Sequence, residues 1–341
     1  MSRWSEGSSV EELSLSYGGL LYWDRTLTLL LKQVQIPGVD LGYDVHESAP
    51  KLFEEQIRTG RYDLCEMSAA SFLVQTAREA TDFVGLPIYI SRNFRHGQIY
   101  VNRSSGIHKP GDLKGKRVGV LDYQMTAAVW IRAFLQHDYG VLPTDLSWFT
   151  GGLTSPEWVE RLPESIPSGI LMHRIGAAET LEAMLAAGAL DALITAQPPL
   201  TFDQRADGPI QRLLSDYQHL EQQYFARTGI FPIMHLVVLR RSLYEEHPGL
   251  ATAIVEAFQT AKEIGQRRLR ATTGLAVGLP WLGASLETVD QLFGGDAFRY
   301  GVSANEVALS ALVGYAYEQG LTKKLVDPAD LCAPAVRSWH D

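Results

Sequence analysis

The stretch RNFRHGQIYVN at 92–102 brings Arg92, Arg95 and His96 within five residues, in a chain where 39 Asp and Glu outnumber 30 Lys and Arg and the formal net charge is −9. Against that balance a basic cluster is a local device. Arginine offers a planar fork of donors matched to a carboxylate, and histidine is the side chain that exchanges a proton near neutral pH. Arg95 and His96 together read as equipment for holding a small acid and moving a proton, with Arg92 a solvated flank. A second histidine, His235, is set in the apolar run IFPIMHLVVL at 230–239, where an unpaired imidazole would be costly. It is either a satisfied core histidine or a site residue, and spacing alone favours the first.

The elements that must position these groups alternate strand and helix, which predicts an α/β protein with largely parallel sheets. A length of 341 residues exceeds what one core usually fills, about 250 to 300 residues, so two lobes are expected. PKLFEEQIRTGRYDLCEMSAAS at 50–71 and AAETLEAMLAAGALDALITAQPP at 177–199 share one order. Each is an amphipathic helix, then a glycine (Gly60, Gly188), then an aspartate three residues on (Asp63, Asp191), then a short apolar strand. The repeat implies two similarly built lobes, divided here as 12–100 with 236–341 and as 101–235, with the helical last third packed back on the first.

In open α/β sheets, ligands bind beyond the carboxyl ends of the strands, beside helix N-termini whose free N–H groups suit an anion. The polar tips fall at 17–24, 66–71, 92–96, 122–126, 195–199 and 227–235. They nominate Arg25, Glu66, Ser68, Arg95, His96, Tyr123, Thr126, Gln197, Arg227 and His235 for a cleft between the lobes. Plain readings stand beside these: Ser68 as an N-cap, Asp24–Arg25 as a surface ion pair, Tyr123 and Thr126 as turn and cap residues.

Several functions are disfavoured. An acidic chain offers no basic face for phosphates, so no nucleic acid is expected. Cys65 and Cys332 stand far apart without metal-ligand spacing, which speaks against zinc and against a disulfide framework, and the site tips carry no helical ligand pair for a metal. The N-terminal MSRWSEGSSVEELSLSYGG lacks a basic stretch followed by an apolar one, and no run of about 18 uncharged apolar residues occurs, so a cytoplasmic protein off the membrane is expected. No G-x-S-x-G, P-loop, HExxH or GxGxxG motif is present. The sequence sets no oligomeric state and is compatible with a homo-oligomer.

DLCEMSAASFLV at 63–74, FRHGQIYVN at 94–102, DLKGKRVGVLDYQMTAAVWIRAFL at 112–135, WFTGGL at 148–153, LDALITA at 190–196 and RTGIFPIMHLVVLRR at 227–241, with DRT at 24–26, resemble the 4,5-dihydroxyphthalate decarboxylase family. The matches lie in order over about residues 13–325. The resemblance implies a two-lobed type 2 periplasmic-binding-protein-like fold with a ligand cleft between the lobes. It also implies non-oxidative decarboxylation of a hydroxylated aromatic carboxylic acid without an organic cofactor or metal. Under it, Arg25 and Arg95 hold carboxylate, Ser68 and Thr126 add donors, His96 and His235 are the candidates for proton transfer, Glu66 or Tyr123 meets ring hydroxyls, and Arg227 lines the cleft. Two departures bear on the substrate. Gln197 stands in ITAQPP where an arginine is expected, and the YGGLLYWDRT loop carries bulky Leu21, Tyr22 and Trp23. They leave a mono-acid or a differently hydroxylated ring open beside 4,5-dihydroxyphthalate. The alternatives on the same fold are a solute-binding protein for a small organic anion and a small-acid dehydratase.

Overall fold

The computed structural model describes residues 12–203, 207–271 and 273–340. Eleven strands among these form two mixed sheets. The strands are β1 (Leu13–Leu20), β2 (Val39–His46), β3 (Leu64–Ser68), β4 (Phe83–Arg92), β5 (Ile99–Asn102), β6 (Arg117–Val120), β7 (Ser147–Thr150), β8 (Met172–Arg174), β9 (Ala192–Ile194), β10 (Ile210–Arg212) and β11 (Ile233–Arg240). The helices are α1 (Leu27–Leu30), α2 (Ala49–Thr59), α3 (Ala69–Ala77), α4 (Thr126–Tyr139), α5 (Leu181–Ala186), α6 (Tyr217–Thr228), α7 (Arg241–Glu246), α8 (Leu250–Leu269), α9 (Leu282–Phe293) and α10 (Glu306–Glu318). The first sheet runs β2-β1-β3-β11-β4 and the second β10-β5-β9-β6-β7-β8. The divisions expected at 100/101 and 235/236 fall inside β5 and β11. Strand pairing is continuous there, so the sheets change over between Arg92 and Ile99 and again between Arg212 and Ile233.

The sequence repeat has a physical job. In the first lobe the Asp63 carboxylate accepts from the backbone N–H of Ser16 at 3.0 Å and from its hydroxyl at 2.7 Å, fixing β1 beside β3. In the second, the Asp191 carboxylate accepts from the backbone N–H of Arg117 at 2.9 Å, fixing β6 beside β9. Gly60 ends α2 in the left-handed region (φ 58°), and Gly188, just after α5, takes the same form (φ 74°), as the turn back into a strand requires.

Helix α4 is buried throughout Thr126–Leu135, the pattern of a helix enclosed on all sides. It is the second lobe's contact with the first. Trp130 Nε1 donates to Ile233 O at 2.9 Å, Gln319 Nε2 to Val129 O at 2.9 Å, and Arg132 Nε to Gln319 Oε1 at 2.8 Å. One apolar cluster accordingly runs through both lobes, joining Phe72 and Leu236 to Val118, Trp130 and Trp148 and to Leu309 and Leu312 of α10. Among the described residues no helix is long and apolar enough to cross a membrane.

Candidate active site

Strand β11 inserts antiparallel between β3 and β4, setting His235 opposite Ser68 and Val237 opposite Glu66. Directly opposed residues share a face of the sheet, and so do residues two apart along a strand. Glu66, Ser68 and His235 therefore project together. The Glu66 side chain is fully buried. Its Oε1 accepts from His235 Nδ1 at 2.6 Å and from the Tyr22 hydroxyl at 2.6 Å, and its Oε2 accepts from the backbone N–H of Leu20 at 2.9 Å. A carboxylate out of water needs such donors. With Nδ1 engaged, the ring nitrogen on the other side, Nε2, is left without a protein partner among the described residues, and the His235 side chain keeps 16 % exposure. Phe53 of α2 stands edge-on to the ring at 4.8 Å.

Tyr22 reaches Glu66 because 22–26 closes a tight turn, in which the N–H groups of Arg25, Thr26 and Leu27 all point to Tyr22 O. Burial, and then the Glu66 carboxylate, push the Tyr22 phenol well above its ordinary range, so it stays protonated and donates. Arg25 lies with its guanidinium 4.7 Å from the Tyr22 ring and 3.8 Å from that of Phe298, in ion-pair contact with Asp24 at 3.4 Å. Arg95 is buried, donating from Nη1 to Ala196 O at 2.9 Å and lying with Nε 3.1 Å from the Met234 sulfur, next to His235 in the chain. Burial pushes Arg95 down to about 10, which leaves it charged at neutral pH and within electrostatic reach of Tyr22. Arg92, read from sequence as a solvated flank, packs instead against Asn305 and the Phe231 carbonyl.

Ser68 and Thr126, at the N-termini of α3 and α4, meet across the lobes with hydroxyls 2.8 Å apart. Thr126 also accepts from the N–H of Ala70 at 3.0 Å, and Ser68 from the hydroxyl of Ser71 at 3.1 Å. Ser68 is thus the N-cap of α3, whereas Thr126 is the first residue of α4, after the N-cap Met125, and its hydroxyl is engaged by the start of α3.

The other candidates are placed elsewhere. The His96 ring stacks on Phe134 at 4.2 Å with an 8° tilt and faces Tyr224 at 5.1 Å. Burial pushes it down to about 4, so at neutral pH the ring is neutral and not the imidazolium that acid catalysis would use. Its contribution to the motif is backbone: the N–H groups of His96 and Gly97 donate to Glu221 at 3.0 and 3.4 Å. Tyr123 lies in the second lobe's core under the Arg132 guanidinium at 3.8 Å and edge-on to Trp148. Arg227 sits at the end of α6, paired with Asp138 at 2.8 Å and well exposed, and Gln197 is also exposed. The residues that sequence reasoning missed are Tyr22, whose signal was the bulky YGGLLYWDRT loop, and Phe53 and Arg161, which carried none. Arg161 pairs with Asp122 at the tip of β6, and its guanidinium carbon lies 5.9 Å from the Phe53 ring. Among the described residues no three His, Cys, Asp or Glu side chains group as metal ligands.

Glu221 yields a pH prediction. Burial raises its carboxyl from 4.5 to about 7, the two N–H donors and Arg95 only partly offsetting it. A raised acid binds its proton more tightly in the folded chain, so its contribution to stability is complete below pH 4.5 and is lost as pH rises through 7. Glu221→Gln keeps the acceptor without the charge. Its melting temperature should match the wild type at pH 5 and exceed it by a few degrees at pH 8, for an effect on the order of 2 kcal/mol. Equal melting temperatures at pH 8 would contradict the raised carboxyl.

The arrangement is a histidine oriented by a buried carboxylate, which also accepts from Tyr22, whose ring lies against Arg25. No family model matches the chain. The chain is 35% identical over 324 residues to 4,5-dihydroxyphthalate decarboxylase of Comamonas testosteroni, covering 95% of this chain and 97% of that one. It is 37% identical over 192 residues to 4,5-dihydroxyphthalate decarboxylase of Pseudomonas putida, covering 56% and 73%. In three dimensions it is similar to the periplasmic aliphatic sulphonate binding protein SsuA from Escherichia coli, with a TM-score of 0.51 and 15% identity over 95% of this chain and 92% of that one, a likeness of fold. Carrying the periplasmic-binding-protein fold and matching the Comamonas testosteroni decarboxylase along nearly its whole length, the chain belongs to the 4,5-dihydroxyphthalate decarboxylase family of carboxy-lyases.

Proposed function

We propose that the protein decarboxylates a ring bearing vicinal hydroxyls and vicinal carboxylates, with 4,5-dihydroxyphthalate the substrate that fits best, and that it does so with its own side chains and no organic cofactor. The observation that carries this reading is the Glu66–His235 contact of 2.6 Å, which orients the imidazole and leaves its Nε2 without a protein partner among the described residues.

Loss of CO2 from an aryl carboxylate needs a proton at the ring carbon that bears it. In 4,5-dihydroxyphthalate each carboxylate is para to a hydroxyl, whose oxygen lone pair raises electron density at that carbon. His235, held through Nδ1 by Glu66, delivers the proton from Nε2. The ring is transiently dearomatised, then the C–C bond breaks, its electron pair restores the aromatic ring, and CO2 leaves. One proton is consumed, one ring C–H forms, and no oxidant or reductant is required. Arg95 and Arg25 are the first lobe's and crossover's donors to the carboxylate that leaves, and lobe closure excludes water from the ring during the transfer.

The test is to incubate the purified protein with 4,5-dihydroxyphthalate, phthalate and a panel of hydroxybenzoates, following CO2 and ring product together. The expected result is CO2 and 3,4-dihydroxybenzoate in equal amounts, surviving exhaustive dialysis against a chelator. Tight binding across the panel with no CO2 would replace this reading by that of an anion-binding protein, and loss of water in place of CO2 by that of a dehydratase.

A further inference from the structure

The reading above asks for two carboxylate receptors on adjacent ring carbons, yet Gln197, the position where a second arginine was expected, is exposed and bonded only through its backbone N–H to Thr195. A different arginine occupies the second lobe's side. The chain that follows β7 returns toward the first lobe, where Glu164 accepts from Arg78 Nη1 at 2.9 Å. Arg161 lies on this segment, with a side chain only 4% exposed. It is paired with Asp122, whose own side chain is 2% exposed, at the tip of β6. Its guanidinium faces Phe53, the same ring that stands edge-on to His235.

The donor accounting around Arg161 is incomplete. Its Nε is buried without a partner among the described residues, and so are Asp122 Oδ1, Glu160 Oε1 and both amide atoms of Gln124. Folded proteins pair roughly 90% or more of such groups, and of these five atoms the two donors, Arg161 Nε and the Gln124 amide nitrogen, are the ones an incoming carboxylate could satisfy. The ion pair with Asp122 supplies orientation. It engages Nη2 of the guanidinium, while Nε is left as an unpartnered donor.

Building on the proposed decarboxylation, we propose that Arg161 is the receptor for the second carboxylate of the substrate, the one retained in the product, and so selects vicinal dicarboxylates over rings with one acid group. Asp122 is its positioning residue. Of the two carboxylates, the one that departs lies against His235 and Arg95 of the first lobe and the crossover, and the one that stays lies against Arg161 of the second lobe. Binding of the dianion then draws the two lobes together.

The proposal is tested with Arg161→Gln, with Arg161→Lys, which keeps the charge facing Asp122 but loses the fork, and with Asp122→Asn/Arg161→Gln, which removes the acid left unpaired. Because a group that binds substrate and transition state alike acts on KM, the expected result is a rise in KM for 4,5-dihydroxyphthalate of about 10- to 100-fold with kcat within a few-fold of wild type. Inhibition by 3,4-dihydroxybenzoate should weaken by a similar factor, and inhibition by catechol, which has no carboxylate, should stay within about two-fold. Arg161→Lys should recover only part of the loss, because an ammonium cannot make the bidentate contact. An unchanged KM in the double variant, or equal weakening of catechol and 3,4-dihydroxybenzoate, would overturn the assignment. Calorimetric binding of unreactive phthalate to wild type and to the double variant separates the two claims. A wild type that binds phthalate but releases no CO2 from any panel member sinks the decarboxylation reading alone, whereas equal phthalate affinity in both proteins sinks the role of Arg161 alone.

Discussion

His235→Gln is expected to lower kcat on 4,5-dihydroxyphthalate by about 10²- to 10⁴-fold, the usual worth of a positioned general acid. Glutamine is close in size and keeps an N–H for Glu66, so the loss should come without a comparable loss of stability. Glu66→Gln tests the other half of the pair. A glutamine has one acceptor oxygen, so it can replace Oε1, which takes Tyr22 and His235, or Oε2, which takes Leu20, but not both, and kcat should fall by a factor within the same range. The contrast with His96 is what makes the assignment specific. That ring is stacked on Phe134 and held neutral by burial, so His96→Phe should keep kcat within a few-fold. His96 should instead affect acid stability. Its protonation is depressed from 6.5 to about 4, so folding loses stability as pH falls from 6.5 through 4, and the phenylalanine variant should lose less over that interval. Wild-type turnover in His235→Gln, or a catalytic collapse in His96→Phe, would reverse the assignment of the two histidines.

Gly265→Ala is expected to reduce kcat/KM by about 10- to 100-fold and to lower the melting temperature. Gly265 lies in α8 directly against the Asp24 backbone, and a Cβ there would overlap the Asp24 carbonyl and Cα. Asp24 belongs to the turn that presents Tyr22 to Glu66 and sets Arg25 over the Tyr22 and Phe298 rings. Two effects oppose each other. Alanine in mid-helix gains roughly 1 kcal/mol of helix propensity over glycine, while overpacking against a neighbour costs about 1 to 3 kcal/mol. Here the neighbour is backbone held in a hydrogen-bonded turn and not the end of a flexible side chain, so the overpacking wins and the turn shifts. Gly283→Ala in α9 is the control, since nothing lies within 4 Å of the added methyl, and it should keep full activity with equal or higher stability. If Gly265→Ala behaves like Gly283→Ala, the turn does not depend on this close approach.

The lobe-crossing arginine and histidine show how far local pattern reaches. FRHGQIYVN marks a crossover, and its Arg95 does lie beside the residue preceding His235. The same motif offered His96 as an equal partner in proton transfer, because two histidines at predicted strand tips look alike in sequence. What separates them is the surroundings. One ring has Phe134 and Tyr224 as neighbours, and the other has Glu66.

From sequence alone came the α/β alternation, the polar strand tips, the repeated helix-Gly-x-x-Asp-strand unit and the capping position of Ser68. Each follows from interactions within a few residues, where side-chain period, the left-handed tolerance of glycine and the short reach of a hydroxyl act without regard to the rest of the chain. Tertiary structure alone decided that Glu66 meets His235 from 169 residues away, that Tyr22 reaches the same carboxylate oxygen, and that Arg161, with no motif to mark it, comes to Phe53. Alternation sets which face of a strand a residue occupies, but the neighbour on that face depends on which strand pairs beside it. Here β11 enters between β3 and β4, a long-range pairing that no local preference specifies.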